Sequence, residues 1–183
     1  MKLTEKDGGF VSFLNRLLAE GDRGALAALR RGLGKKPGTS AEMHRYVAPF
    51  ISEKTSAWRS DCLYICAALY AEWHQGRTTA AVDEPSDLGS SFRRLAIKSD
   101  SESLEKRFEA LLACHCEELH VHLRHAVSLL RSKDVSLDWG QLLYHITNWN
   151  HMRRWVQRQW AQSFWGNVVS VENNEDATTE SDS

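Results

Sequence analysis

The sequence predicts an all-α fold, an elongated helical bundle that could divide into two small helical lobes. Apolar residues recur at spacings of three and four along most of the chain. No stretch alternates apolar and polar residues long enough for a strand. Pro occurs only 3 times in 183 residues, so little interrupts a helix.

The elements follow in order. Residues 9–20 place Phe10, Phe13, Leu14, Leu17 and Leu18 on one stripe, and Gly21 ends that helix. Asp22 caps the next, which carries Leu26, Leu29 and Leu33. Gly32, Gly34, Lys35, Lys36, Pro37 and Gly38 make a loop, and a short segment from Ala41 stops near Pro49. Residues 53–74 form a strong helix through Trp58, Cys62, Ile65, Cys66, Leu69 and Trp73. Residues 75–90 read as a loop and as a candidate internal boundary. A short basic helix over 91–98 follows. Ser99 and Glu102 have capping-box spacing, which starts a long helix reaching Ser132. Its buried stripe runs through Leu104, Phe108, Leu111, Leu112, His115, Leu119, Leu123, Ala126, Val127 and Leu130. Ser136 caps a final helix with Asp138 in its first turn and an apolar face of Trp139, Leu142, Leu143, Ile146, Trp149, Val156, Trp160 and Phe164. At ~1.5 Å per residue the long helices would each reach about 40 Å.

Charge divides the chain. There are 23 Lys and Arg against 24 Asp and Glu, a net charge of -1. That average disfavours a nucleic-acid partner. Residues 170–183, however, hold Glu172, Glu175, Asp176, Glu180 and Asp182 and no Lys or Arg. Set apart from those five, the rest of the chain keeps all 23 basic residues and is mildly basic. The expected organisation is a helical body over 1–169 and a disordered acidic tail over 170–183. The tail either screens a basic groove or serves only solubility. No run of about 18 apolar residues offers a membrane span, and the first residues lack a signal-peptide core. Four Cys suit a reduced, cytoplasmic setting.

The chemistry-bearing residues favour binding over catalysis. Cys114, Cys116, His120, His122 and His125 crowd one segment and raise a metal-binding alternative, a helical enzyme or sensor. One straight helix presents four converging ligands only with difficulty, so no metal and no cofactor is expected. The Cys fall within helix patterns, away from the helix starts that favour a thiolate. No nucleophile elbow or Gly-rich phosphate loop is present, so no catalytic residue is assigned.

The basic residues cluster instead. Arg30, Arg31, Lys35 and Lys36 form one group; Arg45 stands alone; Arg93 and Arg94 form another, with Lys98. Arg107, Arg124 and Arg131 border the apolar stripe of their helix, and Arg154 and Arg158 share a face of the last helix with His151. These arginines read either as a nucleic-acid groove or as solvated helix surface paired with Glu20, Glu42 and Asp61. Of the seven Trp, five lie on apolar stripes, while Trp155 and Trp165 fall off them and could cover a partner or stack on a base. A plain helical protein-interaction module remains a further reading.

Several segments together resemble the small subunit, CasB, of the type I-E CRISPR Cascade surveillance complex. They are Leu29-Arg30-Arg31, residues 44–50 (HRYVAPF), residues 91–96 (SFRRLA), Glu105 to Phe108 with Leu111-Leu112, Leu123-Arg124-His125, and Leu137-Asp138-Trp139 before a Trp- and Arg-rich helix. The resemblance runs from about Phe10 to Phe164. It implies a non-enzymatic helical subunit, present in two copies beside other Cascade subunits. It also implies contact with guide RNA, the target DNA strand and the displaced strand, stabilising the R-loop in antiviral defence. The family's basic contacts fall by position on Arg30, Arg31, Arg45, Arg93, Arg107 and Arg124. Charge clustering adds Lys35, Lys36, Arg94, Arg131, Arg154 and Arg158. His125 stands where the resemblance implies a fixed positive charge. The 75–90 loop and the acidic tail have no matched counterpart.

Overall fold

The computed structural model describes residues 5–77, 86–98 and 102–166. The centre of the 75–90 segment and all of the acidic segment lie outside them. Among the described residues the chain forms nine α-helices and no strand. They are α1 (Glu5–Ala19), α2 (Arg23–Arg30), α3 (His44–Val47), α4 (Ala57–Trp73), α5 (Leu88–Lys98), α6 (Glu102–Ala113), α7 (Leu119–Ser132), α8 (Trp139–Thr147) and α9 (Trp155–Trp165). Two 3-10 turns, Ala41–Met43 and Ala48–Phe50, flank α3.

The helix α4 is the axis of the molecule, buried on every side from Cys62 to Ala71. It packs on α2, α7 and α8; α1 lies across α8 and α2, α6 rests on α7, and α5 pairs with α9. One continuous core runs from Phe10 to Phe164. Side chains cap helix starts, α2 at the expected Asp22 and α4 at Ser56, so that α4 begins at Ala57 and not at the expected 53. Asp22 Oδ1 accepts from the Ala25 amide at 2.8 Å, and Ser56 Oγ accepts from the Arg59 amide at 3.2 Å.

Three further expectations are corrected. The helix expected over 91–98 begins at Leu88, because Asp87 Oδ1 accepts from the Ser90 amide at 2.9 Å and caps it. The last segment is capped by Asp138, whose Oδ1 accepts from the Gln141 amide at 2.8 Å, and not by Ser136. Each of the two long helices is broken in two, so the longest helix has 17 residues and spans only about 26 Å.

The breaks have identifiable causes. The last carbonyls of a helix lack partners within it and must find them elsewhere. At the end of α6, Arg154 Nη2 donates to the Leu112 carbonyl at 2.6 Å, and Trp149 Nε1 donates to the Cys114 carbonyl at 3.4 Å. At the end of α8, Trp58 Nε1 donates to the carbonyls of Ile146 and Thr147, both at 3.1 Å. Gln157 Nε2 holds the Trp149 carbonyl at 3.0 Å, and Arg154 turns the chain with φ 46°. His115, expected in the buried stripe, is exposed within the first break. Trp155 and Trp165 are half-buried and pack within the chain, against Tyr144 and Phe108.

Candidate nucleic-acid interface

The outer face of α7 organises the candidate site. Its inner stripe, Leu119, Leu123, Ala126, Val127 and Leu130, is buried. The 3.6-residue period then carries Arg124 and His125 to the outside, with His120 on one flank and His122 on the other. On the first flank the loop 31–38 approaches. Gly34 has a left-handed backbone (φ +75°), and the Arg124 guanidinium lies over it so closely that a methyl group would fall 2.5 Å from Nη1. Lys35 and Lys36 border the same crevice as His120 and point to solvent. On the second flank a groove of about 450 Å³ runs between α6 and α7. Phe92, Leu111, Ala126 and Leu129 form its apolar floor, and Arg107, His122 and His125 its polar rim.

Lys35, Lys36 and Arg124 thus border one flank of α7, with Arg107 beside His122 and His125 on the other, so that four cations form a stripe across the helix. Among the described residues, Lys35, Lys36, Arg107 and Arg124 make no side-chain hydrogen bond or ion pair. Such cations keep their full capacity for phosphate oxygens. His122 was legible only as a metal candidate, whereas His125 also stood where the resemblance implies a fixed positive charge; their spacing of three is the sequence sign that they share a face.

Other predicted site residues lie elsewhere or are already engaged. Arg31 pairs with Glu42, and Arg45 stacks over the Tyr46 ring with its guanidinium 4.5 Å from the centroid. Arg93 is half-exposed on α5. Arg30 lines a separate cleft with Arg23, Glu20 and Arg77. Arg94 Nη2 is held by Ser86 Oγ, Ser91 Oγ and the Ser136 carbonyl at 3.0–3.1 Å. Arg131 bonds Glu72 Oε1 at 2.9 Å and the Gln75 carbonyl at 3.1 Å, tying α7 to the end of α4. Arg154 and Arg158 donate to the Leu112 and Arg153 carbonyls, each at 2.6 Å. The expected shared helical face of His151, Arg154 and Arg158 is corrected, because His151 precedes α9 and Arg154 is its left-handed first cap.

The cysteine segment does not converge. Cys114 and Cys116 lie in the break between α6 and α7 and not in a helix, contrary to expectation. His120 sits near Asp61, whose carboxyl is raised by burial and pulled back by that imidazole. His122 faces the other flank of α7. Among the described residues no group of three or more His, Cys, Asp or Glu is placed to hold a metal ion. Burial pushes the Cys114 thiol up to about 11, with the Glu118 charge adding to the effect. Buried Cys62 is pushed well up for the same first reason. Thiols of this kind are poor nucleophiles at neutral pH. No described helix is long and apolar enough to cross a membrane.

Comparison with known proteins agrees with this architecture. Residues 25–165 match the family model for CRISPR-associated protein Cse2. The chain is 32% identical over 173 residues to the CRISPR-associated protein Cse2 of Thermus thermophilus, covering 89% of this chain and 92% of that one. It superposes on the crystal structure of CasB from Thermus thermophilus with a TM-score of 0.75 at 30% identity, covering 87% of this chain and 97% of that one. A chain of a CRISPR RNA-guided surveillance complex matches with a TM-score of 0.78 at 25% identity, covering 95% and 99%. With a family match over most of its length, a relative of 32% identity and a helical fold that superposes over most of its residues, the chain belongs to the Cse2/CasB family of CRISPR-associated proteins.

Proposed function

We propose that this chain is a non-catalytic subunit of a type I-E RNA-guided DNA surveillance complex, where it grips nucleic-acid backbone and stabilises the R-loop. The observation that carries this reading is the stripe of Lys35, Lys36, Arg124 and Arg107, whose charges are unspent within the described fold. Guide pairing supplies sequence recognition in such assemblies, so a subunit of this kind needs only phosphate contacts. Arg suits them because its planar fork meets two phosphate oxygens at once. The partners are the guide RNA, the target and displaced DNA strands, the other subunits and a second copy of this chain. A body of modest positive charge binds weakly alone and strongly at the high effective concentration of an assembly. Arg30, Arg31, Arg45 and Arg93 belong to the same reading as flanking contacts. Arg94 and Arg131 act within the fold, while exposed Arg154 and Arg158 lie on a separate surface and spend donors on backbone carbonyls.

The test is reconstitution of the guide-loaded complex with Arg107→Ala and Arg124→Ala together. R-loop formation should weaken by roughly tenfold or more, since each lost phosphate contact removes a share of the electrostatic affinity. The assembly itself should still contain two copies of the chain. An R-loop as stable as that of the unaltered complex would overturn the reading.

A further inference from the structure

We propose that the groove rimmed by Arg107, His122 and His125, with Arg124 beside it, is a docking surface for this chain's own acidic segment, residues 172–182. The segment would then compete with nucleic acid for the stripe. That competition rests on the reading above, whereas the docking stands on charge, position and reach.

Charge complementarity is one-sided. The groove's lining contains Arg107, His122 and His125 and no carboxylate. The segment supplies Glu172, Glu175, Asp176, Glu180 and Asp182 and no cation. Val168, Val169 and Val171 precede the first carboxylate, matching a floor of Phe92, Leu111 and Leu129 with apolar side chains.

Position comes from the end of α9. Trp165 Nε1 donates to Glu105 Oε1 at 2.6 Å, and the Phe164 ring lies 4.6 Å from that of Phe108. The chain therefore leaves α9 against α6, the helix that carries Arg107. Reach follows from chain geometry. From Gly166 to Glu172 the backbone spans at most about 20 Å. A helix with its side chains is about 10–12 Å across. The first carboxylate can thus cross α6 to Arg107, and the later ones can continue toward Arg124 and the Lys35–Lys36 loop.

The other cationic surface nearby fits less well. Arg154, the cap of α9, and Arg158, in its first half, lie about 16 Å and about 10 Å from its exit by helix rise. Their guanidinium groups are on backbone carbonyls, and Glu109 shares that surface.

The experiment uses the full chain. Zero-length carbodiimide cross-linking at low salt, read by mass spectrometry, should join acidic residues of 172–182 to Lys35 or Lys36, or to Lys106, which is exposed next to Arg107 on α6. The links should fade at ~0.5 M salt, where charges are screened beyond about 4–5 Å. In parallel, Glu172→Gln, Glu175→Gln, Asp176→Asn, Glu180→Gln and Asp182→Asn are combined, and binding to single-stranded oligothymidine is measured. Removing the competitor should tighten binding by about tenfold at low salt. No links from the segment, or links to Lys98 alone, would overturn the docking. Links to the stripe lysines with unaltered oligothymidine affinity would uphold the docking and overturn the competition.

Discussion

The backbones of Gly89 and Trp160 meet: a Cβ on Gly89 would fall 2.1 Å from the Trp160 carbonyl oxygen. This contact sets the spacing of α5 and α9. Asp87 closes the same junction, accepting from Ser163 Oγ at 2.7 Å and Gln159 Nε2 at 3.2 Å. Backbone cannot yield as a flexible side chain can. Gly89→Ala should therefore destabilise the fold by ~1–3 kcal/mol, as overpacking does, despite its better helix propensity. Chemical denaturation measures this. A variant as stable as the parent would show that the two helices slide apart freely.

Two arginines of α7 should behave oppositely. Arg131 is a clasp, held by half-buried Glu72 and by the carbonyl of exposed Gln75, and Arg131→Ala should cost about 1–2 kcal/mol of stability. Arg124 is exposed and lies over Gly34 without a side-chain hydrogen bond or ion pair among the described residues, and Arg124→Ala should leave stability within about 0.5 kcal/mol. Thermal melts of both separate the roles. Equal losses would make Arg124 structural and remove it from the interface.

That contrast also shows what the sequence could tell. In sequence Arg107, Arg124 and Arg131 look alike as cations beside an apolar stripe, and Arg94 looks like one more member of a basic cluster. Only the fold reveals that Ser136 and Glu72 claim Arg94 and Arg131. The helix α4 was legible because its own residues at positions 58, 62, 65, 66, 69 and 73 decide it. The break at 114–118 was not. The apolar period runs on through it from Leu112 to Leu119, and the donors that end α6 come from Trp149 and Arg154, far along the chain. Trp placement was legible as core, but its use as a hydrogen-bond donor between elements was not. Trp58, Trp149 and Trp160 all work in this way.

His145 should give the fold an acid sensitivity. It is buried, and its Nδ1 accepts from Trp160 Nε1 at 2.9 Å. Burial lowers its pKa from 6.5, against the opposing charges of Asp87 and Asp138. The folded chain therefore keeps this ring neutral where the unfolded chain already takes up a proton. Stability is fully present above about pH 6.5 and falls as pH drops below it, until the folded ring also protonates. Melting temperatures across pH 5–8 read the effect against the ordinary imidazole value near 6.5. His145→Gln should flatten that dependence. An identical slope in both proteins would assign it to other groups.

Cys114 offers a second pH readout, with the opposite direction. Its thiol is raised to about 11 by burial first and Glu118 second. At pH 8 only a small fraction is thiolate, so alkylation should be slow. The rate should climb about tenfold per pH unit until roughly pH 11. Peptide mapping after iodoacetamide treatment measures this site by site. Rapid labelling at pH 7 would instead indicate an activated thiolate and revive a chemical role for the segment.

The salt dependence of binding tests the stripe most directly. If about five phosphates are neutralised on single strands, log affinity should fall with log salt at a slope of roughly -3.5. Arg107 and Arg124 are two of those cations in this reading. Replacing both with Ala should bring the slope to about -2.1, since each lost phosphate contact removes ~0.7. The change must appear across unrelated sequences, because backbone contacts carry no base information. Arg131→Ala serves as the control: it spends its charge on Glu72, so its slope should match the parent even where its stability does not. A double Arg107 and Arg124 variant with the parental slope would place the phosphate contacts elsewhere on the chain. A flattened slope in Arg131→Ala would show that the clasp, and not the exposed stripe, meets the nucleic acid.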